Sequence, residues 1–166
     1  MLTLFKNSGL KWLWITVLVI LIDQWSKQAV VTAFNLFESK SLLSWLNLTY
    51  VHNYGAAFSF LSDESGWQRW FLAVVALGIS IGLLVWLAKL KPNQKLLAVS
   101  FAFILGGAIG NLWDRVAYGY VIDFIDVFYG TSHFPAFNGA DSAICLGAFI
   151  MILESFINNE ANDESK

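Results

Sequence analysis

Two carboxylates in this chain, Asp123 in "VIDF" and Asp141 in "FNGADS", have residue types and surroundings that could do chemistry. Two acids brought together at a low-dielectric surface cannot both stay ionised, so one keeps a proton. Such a pair can activate a water with one member and protonate or polarise a carbonyl with the other. Each aspartate also has an ordinary structural reading. Asp123 could be a strand residue facing water. Asp141 would stand third in a helix capped by Asn138, where the helix dipole favours negative charge. Asp126 would fall on the opposite strand face from Asp123 and is not expected to work with it.

Other reactive groups are weaker candidates. Cys145 lies one helical turn after Asp141, but a thiol nucleophile needs a base. His133 is the only one in that loop, so Cys145 reads as core packing. His52 and His133 read as surface or cradle residues. Ser26, Lys27 and Ser59 could suggest a Ser–Lys dyad, yet Lys27 already has Asp23 four residues before it on the same helix face. Gly106, Gly107 and Gly110 offer a small-residue surface for close helix packing. Asn111, Asp114 and Arg115, at i, i+3 and i+4, form one polar face. They could snorkel to water, or orient substrate carbonyls or the two carboxylates.

The elements that must position these groups are membrane spans. The 166 residues are 57% hydrophobic and 13% charged, with eight Trp and fourteen Phe, too apolar for a soluble domain of this size. Four segments are long enough to cross a bilayer, which takes about 20 residues each: residues 10–31, 67–90, 95–113 and 140–157. The fold class expected is therefore an α-helical integral membrane protein in a single domain spanning 1–166. Lys6, Lys11 and the run Trp12–Ile22 imitate a secretory signal. Asp23, Gln24 and Trp25 follow them in place of a small-x-small cleavage site, so this reads as a retained first span.

Lys89, Lys91 and Lys95 mark the loop between the second and third spans as cytoplasmic, along with Lys6 and Lys11. Both termini then lie inside, and segments 32–66 and 114–139 lie outside. "NLTYVHN", "AAFSF" and "YGYVIDFIDVFYG" carry strand-forming residues and predict a small β platform at the membrane surface. Residues 34–48 are expected to add a short surface helix, and the acidic tail from about 158 to be disordered. This topology brings Asp23, Gln24, Lys27, Asn53, Asn111, Asp114, Arg115, Asp123 and Asp141 to one outer level.

That convergence sorts the function classes. A small transporter or proton-relay subunit would spread polar groups through the bilayer depth, and the middle and inner halves of these spans are nearly free of them. A net charge of −2 offers no field for nucleic acid. One cysteine and two histidines, with no HExxH spacing, leave no metal site to expect, and no cofactor.

"DQWSK" (23–27), "NYGAAFS" (53–59), "GGAIGNLWDR" (106–115), "VIDF" (121–124) and "FNGADS" (137–142) occur in this order. Together they closely resemble the bacterial lipoprotein signal peptidase family, also called signal peptidase II, over nearly the whole chain. The resemblance implies a membrane-embedded aspartic endopeptidase of four helices with an outer β-cradle, working as a monomer in the cell inner membrane among membrane lipid. Its substrate would be a prolipoprotein, cut just before a cysteine that carries diacylglycerol. By motif, the catalytic pair would be Asp123 and Asp141. Asp23, Lys27, Asn53, Gly55, Asn111, Asp114, Arg115, Asn138 and Ala140 would support them or bind substrate. Asp126 and Cys145 have no motif counterpart. With the helix dipole holding Asp141 ionised, the shared proton would rest on Asp123.

Overall fold

The computed structural model describes residues 7–55 and 66–163. Four helices carry the chain: α1 (Leu13–Ala33), α2 (Trp67–Lys89), α3 (Lys95–Ala117) and α4 (Gly139–Asp163). A 3-10 turn, Gly9–Trp12, leads into α1, and Ser8 caps it by accepting the Leu10 N–H. Each helix is long and apolar enough to cross a membrane. α3 ends at Ala117, not at Trp113 as expected, which puts Asp114 and Arg115 in its last turns. α4 runs past the expected Ile157 to Asp163, so the segment from 158, expected to be disordered, begins as helix.

α3 is the most buried of the four and touches each of the others. Leu83, Leu87 and Leu90 pack against its Ala98, Phe101 and Leu105. On another face Ile15 and Val19 of α1 meet Ala102 and the Ala143 of α4. The outward faces of α1, α2 and α4 are lined with exposed Leu, Ile, Val, Phe and Trp. Such an inside-out distribution suits hydrocarbon, where packing rather than water exclusion joins helices. Between α2 and α3, Pro92 and a turn closed by the Lys91 N–H on Gln94 Oε1 reverse the chain.

The segments between the first and second and between the third and fourth helices build a four-stranded antiparallel sheet in the order β1 (Ser39–Leu43), β2 (Leu46–Asn53), β3 (Val121–Tyr129), β4 (Ser132–His133). One face packs Tyr50, Ile122 and Phe124 against Val30 of α1, seating the sheet on the C-terminal end of that helix. Val51 of β2 stands opposite Asp123, and Asn53 opposite Val121. The expected strands at 47–53 and in 118–130 are present. The expected one at "AAFSF", with Ser59, lies outside the described residues.

The short surface helix expected in residues 34–48 is not formed. That stretch makes β1, a two-residue turn at Ser44–Trp45 and the start of β2. Its helix-permissive leucines are overridden by strand pairing: Leu43 with Leu46 in the hairpin, and Leu46 and Leu48 with β3, some 80 residues away in sequence. β1 forms the edge, and Lys40, ion-paired with Glu38 at 3.4 Å, blunts it against further pairing.

Candidate active site

The site starts from a helix cap. Asn138 immediately precedes α4; its Oδ1 accepts the Asp141 N–H at 2.9 Å, and its own N–H donates to Asp141 Oδ2 at 3.2 Å. This reciprocal box is the local reason the chain turns into a helix there. Because a main-chain N–H can only donate, the Asn138 amide oxygen must face Asp141, and its Nδ2 must point the other way. There it donates to Asp123 Oδ1 at 2.6 Å. One asparagine thus joins both acids.

Asn53, at the end of β2, works by the same logic. Its Oδ1 takes the Gly55 N–H at 2.9 Å, which leaves Nδ2 to donate to Asp123 Oδ2, also at 2.9 Å. Asn111 of α3 donates to Asp141 Oδ1 at 2.7 Å. Each carboxylate therefore receives two N–H donors. Asp123 is only 2% exposed, whereas Asp141 is partly open. Burial first, and the charge of Asp141 second, push the Asp123 carboxyl up to about 7, against the pull of the Asn53 and Asn138 amides and of Lys27.

Behind the pair lies a fully buried polar cluster. Lys27 Nζ sits 2.8 Å from Asp23 Oδ2, 2.8 Å from Asp114 Oδ2 and 3.0 Å from Asn111 Oδ1. The ordinary i, i+4 pair of Asp23 and Lys27 exists, but it is one side of a triangle. Asp23 Oδ1 also accepts the Ala140 N–H at 2.8 Å, pinning the start of α4 to α1. Asp114 Oδ2 accepts the Ile122 N–H at 3.2 Å, pinning β3 to α3. These two acids thus hold the elements that carry Asp141 and Asp123. Arg115 donates to the Gly55 carbonyl at 2.9 Å and to the Asn111 carbonyl at 3.2 Å. Its Nε is buried with no hydrogen-bond partner among the described residues.

The three glycines of α3 allow close approach on two sides, Gly107 to α4 and Gly106 and Gly110 to α1. A Cβ on Gly107 would collide with the Ala140 carbonyl and Ile144. One on Gly110 would stand 2.7 Å from Asp23 Oδ2. Ala140 itself is fully buried at this crossing.

All eleven residues singled out in the sequence converge here. Two others had no role assigned. Gln24 donates to Asp114 Oδ1 at 2.9 Å and to the Gly110 carbonyl at 3.3 Å. Arg69 of α2 donates to the Arg115 and Val116 carbonyls at 2.6 and 2.8 Å, capping the end of α3. Gln24, a polar residue within the first span, was a legible hint; nothing local marks Arg69 as a cap for another helix.

Cys145 is a correction. It is exposed on the outward face of the bundle, not packed in the core. Four residues advance slightly more than a full rotation, and Asp141 is partly covered where Cys145 is exposed. Asp126 is held apart from the pair by Asn47 at 3.0 Å, Thr49 at 3.3 Å and His133 at 2.8 Å. Ser26 donates to the Asp23 carbonyl and does not reach toward Lys27 as a nucleophile would.

Residues 15–157 match the family model for signal peptidase (SPase) II. The chain belongs to the signal peptidase II family. Among its relatives, the lipoprotein signal peptidase of Alteromonas mediterranea is 51% identical over 99% of this chain and 90% of its own length. That of Shewanella piezotolerans is 54% identical, covering 95% of this chain and 93% of the relative. A solved structure described as a bacterial membrane enzyme superposes with a TM-score of 0.84 at 30% identity, covering 97% of this chain and 96% of the other. The chain is accordingly a multi-pass membrane peptidase, with four spanning helices and a small antiparallel sheet.

Proposed function

We propose that this signal peptidase II is an aspartic endopeptidase that removes the signal peptide from diacylglyceryl-modified prolipoproteins, cutting before the lipidated cysteine. The observation that carries the reading is Asn138, whose two amide-type donors join Asp123 and Asp141 across one helix start. Four buried or half-buried acids (Asp23, Asp114, Asp123, Asp141) share this site with two cations, Lys27 and Arg115. Lys27 is already committed to Asp23 and Asp114. The remaining pair relieves its repulsion by holding one proton between them.

The chemistry follows from that proton. Asp141, ionised at the start of α4, takes a proton from a water as its oxygen attacks the carbonyl carbon preceding the lipidated cysteine. Asp123 gives its proton to the carbonyl oxygen, and a tetrahedral diol forms. When the diol collapses, the C–N bond breaks and the proton held by Asp141 passes to the departing cysteine nitrogen. A hydroxyl proton of the diol returns to Asp123, so the pair ends as it began. Arg115 Nε, buried and unpartnered among the described residues, is a donor for a substrate main-chain carbonyl. Asn53, at the end of β2, holds Asp123.

The protein lies in the bacterial inner membrane as a monomer among lipid, with both termini and the Lys89–Lys95 loop cytoplasmic. The site then faces the outer side, level with the acylated cysteine of the substrate. Incubating purified enzyme with a diacylated and an unacylated precursor tests this: cleavage of the first alone is expected. Equal cleavage of both would overturn the substrate assignment.

A further inference from the structure

We infer that Lys27 is a positioning residue that decides which carboxyl of the pair is ionised, acting through the Asn111 amide. The inference rests on the reading of Asp123 and Asp141 as the catalytic pair. Its basis is the direction of the hydrogen bonds. An ammonium has three N–H groups and no acceptor, and Lys27 directs them to Asp23, Asp114 and Asn111 Oδ1. The oxygen of the Asn111 amide is thereby turned toward Lys27, where Asn138 Nδ2 also reaches it at 3.2 Å. Its Nδ2 has one place left to go, Asp141 Oδ1, at 2.7 Å.

The two acids therefore differ in what fixes their donors. Both donors to Asp123 are locked by main-chain N–H groups, those of Gly55 and Asp141. Of the donors to Asp141, one is a main-chain N–H and the other is an amide oriented by a cation. A hydrogen bond from an amide whose oxygen rests on an ammonium is strengthened, and it favours the charged carboxylate over the neutral acid.

Long-range charge does not supply this asymmetry. Asp141 is faced by Asp23 and Lys27 from α1, by Arg115 from α3 and by Asp123 from β3. Arg115 attracts both members of the pair, and the Lys27 charge likewise acts on both, so neither cation by its charge alone singles out Asp141. What remains specific to Asp141 is the short-range relay from Lys27 through Asn111.

The test is the pH profile of kcat/KM on a fluorogenic peptide with a diacylated cysteine, in detergent micelles. Lys27→Met combined with Asp114→Asn removes the relay without changing the local net charge. Its acid limb is expected to move toward neutrality by about one pH unit. Asn111→Leu should move that limb in the same direction, and all three substitutions together by no more than either set alone. Loss of activity equal at every pH, or additive shifts, would overturn the inference. Should the Lys27 variant not fold, an unmoved acid limb in Asn111→Leu overturns it by itself. Asp123→Asn and Asp141→Asn separate the two readings. If either cleaves normally, the catalytic pair is wrong; if both are inactive while the limb stays in place, only the role of Lys27 is wrong.

Discussion

Asn138 and Asp141 cap one another: the side chain of the first accepts the N–H of the second at 2.9 Å, and the side chain of the second accepts the N–H of the first at 3.2 Å. The box would be unremarked at the start of a surface helix. Here its amide nitrogen is left pointing at a second, buried carboxylate, Asp123. A device for starting a helix thus doubles as the link between two acids.

Cap and link can be separated. Asn138→Ser keeps a capping oxygen, and Asn138→Ala keeps none, while both lose the donor to Asp123. The alanine variant should unfold with about 1 kcal/mol less stability than the serine variant. Both should lose cleavage activity alike, by on the order of 100-fold, the scale on which a buried oriented donor acts. Thermal unfolding and initial rates on the same preparations check the pair of outcomes.

Replacing either acid should stop the reaction. Asp123→Asn and Asp141→Asn each remove one of two proton-handling groups that act as a unit, so the loss should exceed about 1,000-fold and the double variant should be scarcely worse. Circular dichroism should still report a folded helical protein in each case.

The pH dependence of stability has a definite sign. The Asp123 carboxyl is raised from 3.8 to about 7, so the folded protein binds this proton more tightly than the unfolded chain. Its contribution favours the fold below the ordinary carboxylate range and is lost as pH rises toward about 7. An asparagine at 123 cannot ionise. The difference in Tm between Asp123→Asn and the parent should therefore move in favour of the variant between about pH 5 and about pH 8. A constant or reversed difference would show that Asp123 is not the proton holder.

Gly107→Ala should be harmful, because the added methyl meets the Ala140 carbonyl and displaces the start of α4. A cost of about 1–3 kcal/mol is expected, with cleavage falling in parallel. Gly82→Ala in α2 has nothing within 4 Å of its new Cβ and should be neutral in both assays.

Asp126→Asn should leave cleavage within about twofold of the parent. Its partners Asn47, Thr49 and His133 belong to the sheet and share nothing with the pair. A fall in Tm is the expected effect, as for a largely buried, hydrogen-bonded carboxylate.

Periodicity and local chemistry already determined much of this protein. Hydropathy delimits the four spans, basic loops give their expected direction, and Asn138 with Asp141 spells a capped helix, because each signal depends on residues a few positions apart. The tertiary structure decided the rest. Residues 46–48 pair with β3 and residues 39–43 with β2, overriding local propensity. Cys145 faces outward because α3 covers only part of α4. Lys27 bonds to Asp114 and Asn111 across 87 and 84 residues of chain. The reason is one of range: propensity and periodicity are properties of neighbours along the chain. Which acid keeps the proton depends on desolvation and on donors brought from four separate elements, and those exist only after the helices and the sheet have packed.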